Sequence, residues 1–179
     1  MTHKNHKKNI FKKCDWYTII IRKINLSKNH EERNLEIRKI SKSDLEELAK
    51  LMVAVYNAPP WNNKWTAETA LESISDILGF PKFFGNVIVD GNKIIGAIIG
   101  HIRRYATEST FYIDEFFISE EYRGTGLAKE LYQTSIKQLK EKGTSGAFFT
   151  TLKNSRAYNF YVKQGAWDLV DSACFYHKF

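Results

Sequence analysis

The segment of the chain that points most clearly to chemistry is YRGTGLA, at residues 122–128. It joins an apolar strand pattern, Phe111 to Ile118, to an amphipathic helix pattern. Glycines let a backbone approach a ligand closely, and the first turn of a helix presents unpaired N–H groups and the positive end of its dipole. The segment is therefore typical of a loop that binds a phosphate or pyrophosphate. A turn that feeds a helix also uses glycine for backbone reasons alone, so this segment by itself leaves both interpretations open.

A second segment makes the binding interpretation more specific. Residues 154–166, about thirty positions downstream, read NSRAYNFYVKQGA. Asn154 is predicted to cap a short helix that ends at Gly165. The two segments together are far more specific than either one alone.

The two segments resemble the GNAT superfamily of acyl-CoA-dependent N-acetyltransferases. The acetyl-CoA signature of that superfamily is Arg or Gln, two free positions, Gly, one free position, then Gly or Ala, and it is matched by Arg123, Gly126 and Ala128. A later pattern of the superfamily is matched by Asn154, Ala157, Tyr161 and Gly165. The resemblance covers about residues 35–179. Two short stretches, 111–118 and 159–161, are most similar to diamine (spermidine/spermine-type) acetyltransferases.

The resemblance implies a binding site for acetyl-CoA as co-substrate. Main-chain groups of the predicted fourth strand would line the pantetheine arm, and the glycine loop would bind the pyrophosphate, with Arg123 and Lys129 adding charge at its rim. Asn154 would hydrogen-bond the CoA arm as well as cap its helix. The residues expected at the co-substrate are Phe116, Phe117, Ile118, Arg123, Gly124, Thr125, Gly126, Leu127, Ala128, Lys129 and Asn154.

Acyl transfer from a thioester to an amine needs an unprotonated amine, a donor for the developing oxyanion and a proton for the departing thiolate. An alkyl amine has a pKa of about 10.4, so a group in the site must take its proton. Asp114 and Glu115, both in the predicted fourth strand, are the candidate carboxylates. By resemblance, Tyr161 would lie near the CoA sulfur and donate the proton to the thiolate.

Strand geometry and the resemblance together rank the two acids. Consecutive strand residues point to opposite faces, so one acid should face the acceptor and the other the far side. The resemblance favours Asp114 and places Glu115 second, and a β-bulge would reverse that order. The structural alternative for either acid is an ion pair with Arg103 or Arg104 in the neighbouring strand.

Apolar periodicity predicts the elements that position these residues. Strands are predicted at 35–38, 87–89, 93–102, 111–118, 147–151, 167–170 and 173–176, and helices at 44–55, 66–78, 127–140 and from 155. The order predicts an α/β (α+β) fold, with a mixed, mostly antiparallel sheet of about seven strands and helices on both faces. The resemblance implies a GNAT-like sheet in which the fourth and fifth strands splay apart to hold CoA. The aromatic, proline-containing segment 56–65 is predicted to form a lid.

Charge divides the chain of 179 residues into two parts. Residues 1–33 carry nine Lys and Arg against three Asp and Glu, so most of the net charge of +7 lies there. We predict a basic, flexible N-terminal extension at 1–33 and a single N-acetyltransferase domain at 34–179. The extension fits either an accessory segment or an upstream start codon. Because the domain itself is nearly neutral, the charge pattern disfavours nucleic acid as a partner.

Several classes of protein are disfavoured by what the sequence lacks. It has neither a stretch long and apolar enough for a membrane span nor the shape of a secretory signal. Two cysteines, Cys14 and Cys174, cannot form a disulfide framework, which predicts a reducing, cytoplasmic setting. No spacing of His, Cys and acidic residues indicates a metal site. The aromatic residues of the fourth strand and the C-terminal hairpin fit either the core or a homodimer interface.

The expected acceptor is a small cationic amine, with diamines and polyamines first. Carboxylates and the rings of Tyr56, Trp61 and Trp65 would both attract ammonium groups. An aminoglycoside and a protein or peptide amine are alternatives, because a fold and a CoA site do not fix the acceptor. The alternative from a different class is a non-catalytic acyl-CoA-binding module, attached to an anionic partner through its basic tail.

Overall fold

Runs of β-branched and aromatic residues form one central sheet in the computed structural model, which describes residues 20–24 and 33–179. Neighbouring strands pair antiparallel from β1 to β5, and β5 pairs in parallel with β6. The mixed, mostly antiparallel sheet is therefore confirmed. Within the described residues the strands, in sequence and spatial order, are β1 Ile20–Ile24, β2 Arg33–Lys39, β3 Phe83–Asp90, β4 Lys93–Arg104, β5 Ser109–Ile118 and β6 Gly146–Phe148.

In the part of the chain that the structure describes, four α-helices cover the sheet, and each begins where the sequence offers a suitable cap or turn. The helix α2 begins after Thr66, whose hydroxyl oxygen accepts the N–H of Thr69 at 3.1 Å. The bounds are α1 Leu45–Tyr56, α2 Ala67–Gly79, α3 Leu127–Glu141 and α4 Arg156–Lys163, with single 3₁₀ turns at Lys42–Asp44 and Glu120–Tyr122. Among the helices of this part of the chain, none has the length and apolar character needed to cross a bilayer.

The helices lie on both faces of the sheet, as predicted. On one face, Leu48 and Met52 of α1 and Ile74 of α2 pack against buried residues of β3 and β4. On the other face, Leu131 and Leu139 of α3 pack against a cluster that includes Phe111. The strand β4 lies between the two layers, and its residues 94–100 are all buried, which explains its near-continuous apolar sequence.

The predicted C-terminal strands at 167–170 and 173–176 are wrong. Residues 164–179 contain neither helix nor strand, and the predicted strand 147–151 is shortened to Gly146–Phe148. Trp167 and Phe175 remain 81% and 93% exposed. The reason is that alternating β-formers become a strand only when a sheet edge pairs with them, and this segment pairs with none of the described strands.

The N-terminal part of the chain also differs from expectation where it is described. Ile20–Ile24 forms β1, which pairs with β2 from Ile20 opposite Ile37 to Ile24 opposite Arg33. Regular structure therefore begins inside the segment predicted as a flexible extension. The remainder of that prediction, including Cys14, lies outside the described residues.

A β-bulge interrupts the pairing of β4 with β5. Ile99 pairs with Glu115, but the next residue of β4, Gly100, pairs with Ile113, so Asp114 is an extra residue in β5. Gly100 makes this close approach feasible, since a Cβ atom built there would lie 1.9 Å from the carbonyl oxygen of Tyr112. A glycine in the middle of an apolar strand is a recognised sign of a bulge, and this sign could have identified the bulge from the sequence.

We predict that Gly100→Ala will destabilise the protein by about 3 kcal/mol or more, because β5 must move away from the added methyl group. The measurement is the free energy of unfolding in urea. Gly79→Ala is the matched control, since nothing lies within 4 Å of its Cβ position at the end of α2. We expect the control to leave stability unchanged or to raise it by less than about 1 kcal/mol. Equal effects of the two substitutions would contradict the steric explanation.

Candidate active site

The bulge sends the two candidate carboxylates into one cleft of about 430 Å³. The expectation that Asp114 and Glu115 face opposite sides of the sheet is wrong here, because the extra residue breaks the alternation of the strand. Among the described residues that line this cleft there are two carboxylates and no Lys or Arg. The lining includes Tyr56, Trp61, Asn63, Trp65, Asp114, Glu115, Phe116, Phe149, Thr150, Thr151, Leu152 and Tyr161.

Glu115 is the deeper of the two acids. Its Oε2 accepts a hydrogen bond of 2.5 Å from the hydroxyl of Tyr56, the last residue of α1. Burial raises the pKa of Glu115, and this effect outweighs the Tyr56 hydrogen bond, which lowers it; the charge of Asp114 also raises it. Burial and the Glu115 charge in turn raise the pKa of Tyr56, which keeps the phenol protonated as a donor. Sequence reasoning assigned Tyr56 to the lid and missed its contact with Glu115.

Asp114 lies nearer the mouth of the cleft. Its Oδ2 lies 2.8 Å from Nδ1 of His101, and the two side chains keep 26% and 20% exposure. The predicted alternative partner, Arg103, lies instead over the ring of Tyr112, with 4.9 Å between its Cζ and the ring centroid. His101 was missed as a partner because the pairing of β4 with β5 that brings it to Asp114 is not visible in the sequence.

Tyr161 lies on α4 and lines the same cleft as Glu115. Its side chain is 8% exposed, and its ring centroid lies 3.9 Å from that of Phe149 and 6.2 Å from that of Phe116. Burial raises the pKa of Tyr161, and the nearby Tyr132 and Glu115 raise it further. The phenol is therefore protonated at neutral pH.

The cap of α4 differs from the prediction. Ser155, not Asn154, is the N-cap, and its hydroxyl oxygen accepts the N–H of Tyr158 at 3.0 Å. Asn154 has a φ of 62° and turns the chain into the helix. Its amide is therefore not used as the cap, because the following serine supplies the acceptor at the right position. At the other end, α4 stops at Lys163, and Gly165 follows with a φ of 88°.

The glycine loop has the backbone geometry that a phosphate group requires. Gly124 and Gly126 have φ angles of 79° and 91°, and no atom lies within 4 Å of the Cβ position of either residue. The first bond of α3 runs from the N–H of Glu130 to the carbonyl of Gly126 at 3.1 Å. The N–H groups of Leu127, Ala128 and Lys129 therefore have no acceptor within the helix. Open space beside donors at a helix N-terminus fits an anionic group.

The strands β5 and β6 part beside this loop. Their pairing covers only three residues of β5, from Thr110 to Tyr112. Beyond that point β5 pairs with β4 as far as Ile118, but β6 has ended at Phe148. One main-chain edge of Phe116, Phe117 and Ile118 is therefore left unpaired by β6, as a wedge for an extended ligand arm requires.

Hydrogen bonds between its two ends close the aromatic segment beside the cleft into a loop. The side chain of Asn57 accepts the N–H of Trp65 and donates to its carbonyl, both at 2.8 Å. The N–H of Asn63 donates to the carbonyl of Tyr56 at 2.9 Å. Segment 57–65 is thus a compact loop with a double hydrogen bond at its base, and Trp61 and Trp65 form part of the cleft wall.

Within residues 20–24 and 33–179, no three Asp, Glu, Cys or His side chains lie close enough together to bind a metal ion. Near the cleft, the one contact between two such side chains in the described part of the chain joins His101 to Asp114.

Comparison with solved structures shows other proteins with this arrangement of strands and helices. An aminoglycoside acetyltransferase, meta-AAC0020 from an uncultured soil metagenomic sample, superimposes with a TM-score of 0.63 and 22% identity over 81% of this chain and 96% of its own. AAC(6')-Iy, in complex with the bisubstrate analogue CoA-S-monomethyl-acetylneamine, superimposes with a TM-score of 0.62 and 18% identity over 82% of this chain and 99% of its own. At these identities the likeness shows the fold alone.

Sequence comparison gives the family. The sequence model of the Acetyltransferase (GNAT) family matches residues 45–166, and the chain therefore belongs to this family. It is 29% identical over 76 residues to Acetyltransferase Atu2258 of Agrobacterium fabrum and 34% identical over 85 residues to N-alpha-acetyltransferase 30 of Schizosaccharomyces pombe. The matches cover 42% and 46% of this chain and 52% and 56% of those proteins, so the chain spans about half the length of the curated relatives it matches.

We predict that two substitutions will move the pKa of Glu115 in opposite directions. Tyr56→Phe removes a hydrogen bond that favours the carboxylate and should raise the pKa. Asp114→Asn removes a neighbouring negative charge and should lower it. The measurement is a carbon-13 NMR titration of side-chain-labelled glutamate, with the Glu115 signal assigned by its loss in Glu115→Gln. Shifts of the same sign in both variants would contradict this account of the site.

Proposed function

We propose that the protein transfers the acetyl group of acetyl-CoA to a primary amine of a small cationic acceptor, such as a diamine or polyamine. The observation that carries the proposal is the cleft in which a half-buried carboxylate, Glu115, and a protonated phenol, Tyr161, both line the place where β5 and β6 part. Membership of the GNAT family supports the same reaction.

The residues of the glycine loop and the wedge fit the co-substrate. Acetyl-CoA supplies an acetyl group activated as a thioester. Main-chain N–H groups from Gly124 to Lys129 would bind its pyrophosphate, and the free edge of residues 116–118 would bind its extended arm. Nη1 of Arg123 lies 3.6 Å from Oε1 of Glu120. The guanidinium would turn toward a phosphate, because a phosphate binds it more strongly than this carboxylate does. Asn154 stays a predicted contact of the CoA arm.

Glu115 is the base that the geometry supports. It would accept the proton of the acceptor amine as the new N–C bond forms, and its raised pKa suits that task near neutral pH. Tyr56 would hold the carboxylate in place. The sequence ranks Asp114 ahead of Glu115, but Asp114 is bonded to His101 nearer the mouth of the cleft.

Tyr161 is the acid that the geometry supports. As the C–S bond breaks, it would give its proton to the sulfur of CoA, so that the amine loses one proton to Glu115 and the thiolate gains one from Tyr161. Its raised pKa keeps that proton in place at neutral pH. The presence of both groups in one cleft favours an enzyme over a non-catalytic acyl-CoA-binding module.

The walls of the cleft favour a cationic acceptor. Two carboxylates and the rings of Tyr56, Trp61 and Trp65 attract ammonium groups, and no described Lys or Arg in the lining opposes them. An aminoglycoside is the second candidate, since a protein of similar fold, meta-AAC0020, carries that activity in its name. The relative from Schizosaccharomyces pombe, named as an N-alpha-acetyltransferase, makes a peptide amine the third.

We expect Tyr161→Phe and Glu115→Gln each to lower kcat by about 100-fold or more, while the Kd for acetyl-CoA stays within about threefold. Tyr158→Phe, on the same helix and outside the cleft lining, is the matched control and should keep the wild-type rate. The measurement is thiol release from acetyl-CoA with spermidine, spermine, diaminopropane, an aminoglycoside and a basic peptide. Unchanged turnover in either variant would remove that residue from the mechanism.

We also propose that a second copy of the chain covers the C-terminal segment. Exposed large apolar side chains can mark an interaction surface, and Trp167, Val170, Phe175, Tyr176 and Phe179 in this segment, residues 167–179, are each at least 74% exposed. Cys174 in this segment is a free thiol, which accords with the proposed reducing, cytoplasmic location.

Sedimentation velocity of the full chain tests the homodimer. We expect a dimer that Phe175→Asp shifts to the monomer, because a charge cannot be buried at an apolar interface without a large cost. Thr107→Asp, at an exposed loop position outside this segment, is the control and should stay dimeric. A monomeric wild-type protein would refute this part of the proposal.

A further inference from the structure

We propose that His101 and Asp114 form the point that recognises a second cationic group of the acceptor, with Asp114 binding that group and His101 acting as the positioning residue. The inference rests on the proposed function, because it assigns the far end of an acceptor whose near end meets Glu115. It adds to that function a reason for preferring diamines over monoamines. His101 has no role among the predictions made from the sequence.

The two acids of the bulge have different surroundings, which suits them to different tasks. Glu115 is bonded to Tyr56 inside the cleft, whereas Asp114 keeps a quarter of its side-chain surface open to solvent. A hydrated carboxylate at the rim binds an ammonium group without having to take its proton. The buried carboxylate is the one suited to proton transfer.

Asp114 has the capacity for such a ligand. His101 engages Oδ2, and among the described residues no other hydrogen bond to this carboxylate is formed, so Oδ1 is available to an incoming donor. A carboxylate accepts several hydrogen bonds at once. The bond from Nδ1 therefore orients the group without using its full capacity.

His101 is itself held in place, which a positioning residue requires. Its ring centroid lies 4.6 Å from that of Phe80 and 5.5 Å from that of Tyr112, with which it is stacked at 21°. Tyr112 is also its partner across the strands. The imidazole is thus fixed between two rings while one nitrogen reaches the carboxylate.

Charge near the rim agrees with this assignment. Arg103, two residues after His101 in β4, lies over the rings of Tyr112 and Tyr105, and it forms no ion pair with the Asp114 carboxylate. The side walls of the cleft hold no described Lys or Arg. A second ammonium group at the mouth would therefore meet Asp114 without competition from an arginine.

The experiment measures binding rather than turnover. The full-length protein, saturated with CoA, is titrated with 1,4-diaminobutane and with butylamine by calorimetry. We expect the wild-type protein to bind the diamine at least about tenfold more tightly, as one additional hydrogen bond to a charged group allows. Asp114→Asn should abolish this preference.

Two variants of His101 separate positioning from packing. His101→Phe keeps a ring between Phe80 and Tyr112 but has no donor, and should lose the preference. His101→Asn keeps a donor near the position of Nδ1 but has no ring, and should retain it. Loss of the preference in Asp114→Asn alone would overturn the role of His101.

The inference is overturned if the wild-type protein binds both amines equally or if Asp114→Asn retains the preference. Thiol release from acetyl-CoA with the same two amines tests the proposed function separately. A diamine that binds with the expected preference but is not acetylated would refute the proposed reaction and leave the recognition point standing. Acetylation of both amines without any difference in binding would support the proposed reaction and refute the recognition point.

Discussion

The close approach of two backbones at Gly100 is the constraint on which the rest of the site depends. Because no side chain occupies that position, the carbonyl of Tyr112 can lie where a Cβ atom would otherwise be, and β5 can hold one residue more than β4. That extra residue breaks the alternation of the strand and brings two acids to one cleft. Without it, one of the carboxylates would face the opposite layer of helices.

A second constraint is the early end of β6. A strand that continued beside β5 would satisfy the main-chain groups of residues 116–118 and would close the wedge. The chain instead turns into α4, whose Tyr161 packs against Phe149 just beyond the end of β6. The same break in the sheet therefore exposes main-chain groups to a ligand and places a phenol beside it.

Local features of the fold could be predicted from the sequence, and features that depend on pairing could not. The start of α3 at Leu127 and the position of β4 depend on neighbouring residues and were predicted correctly. The contacts of Tyr56 with Glu115 and of His101 with Asp114 join residues 59 and 13 positions apart, and they depend on strand register and helix packing. The terminal strands were predicted from β propensity alone, which says nothing about whether an edge is available. The sequence also does not reveal that Ser155 rather than Asn154 caps α4, because both residue types can cap a helix.

The double hydrogen bond between Asn57 and Trp65 has a consequence for how such a domain changes during evolution. These two bonds join the ends of the loop, so the residues between Asn57 and Trp65 can be replaced without displacing α1 or α2. Tyr56 precedes the loop and belongs to α1, so a helix residue makes the bond to Glu115, and the loop touches that residue through Trp61, whose ring centroid lies 5.9 Å from that of Tyr56. Under the proposed function, replacement of the loop would alter the cleft wall, while the Tyr56–Glu115 pair stays in the helix and the strand that supply it.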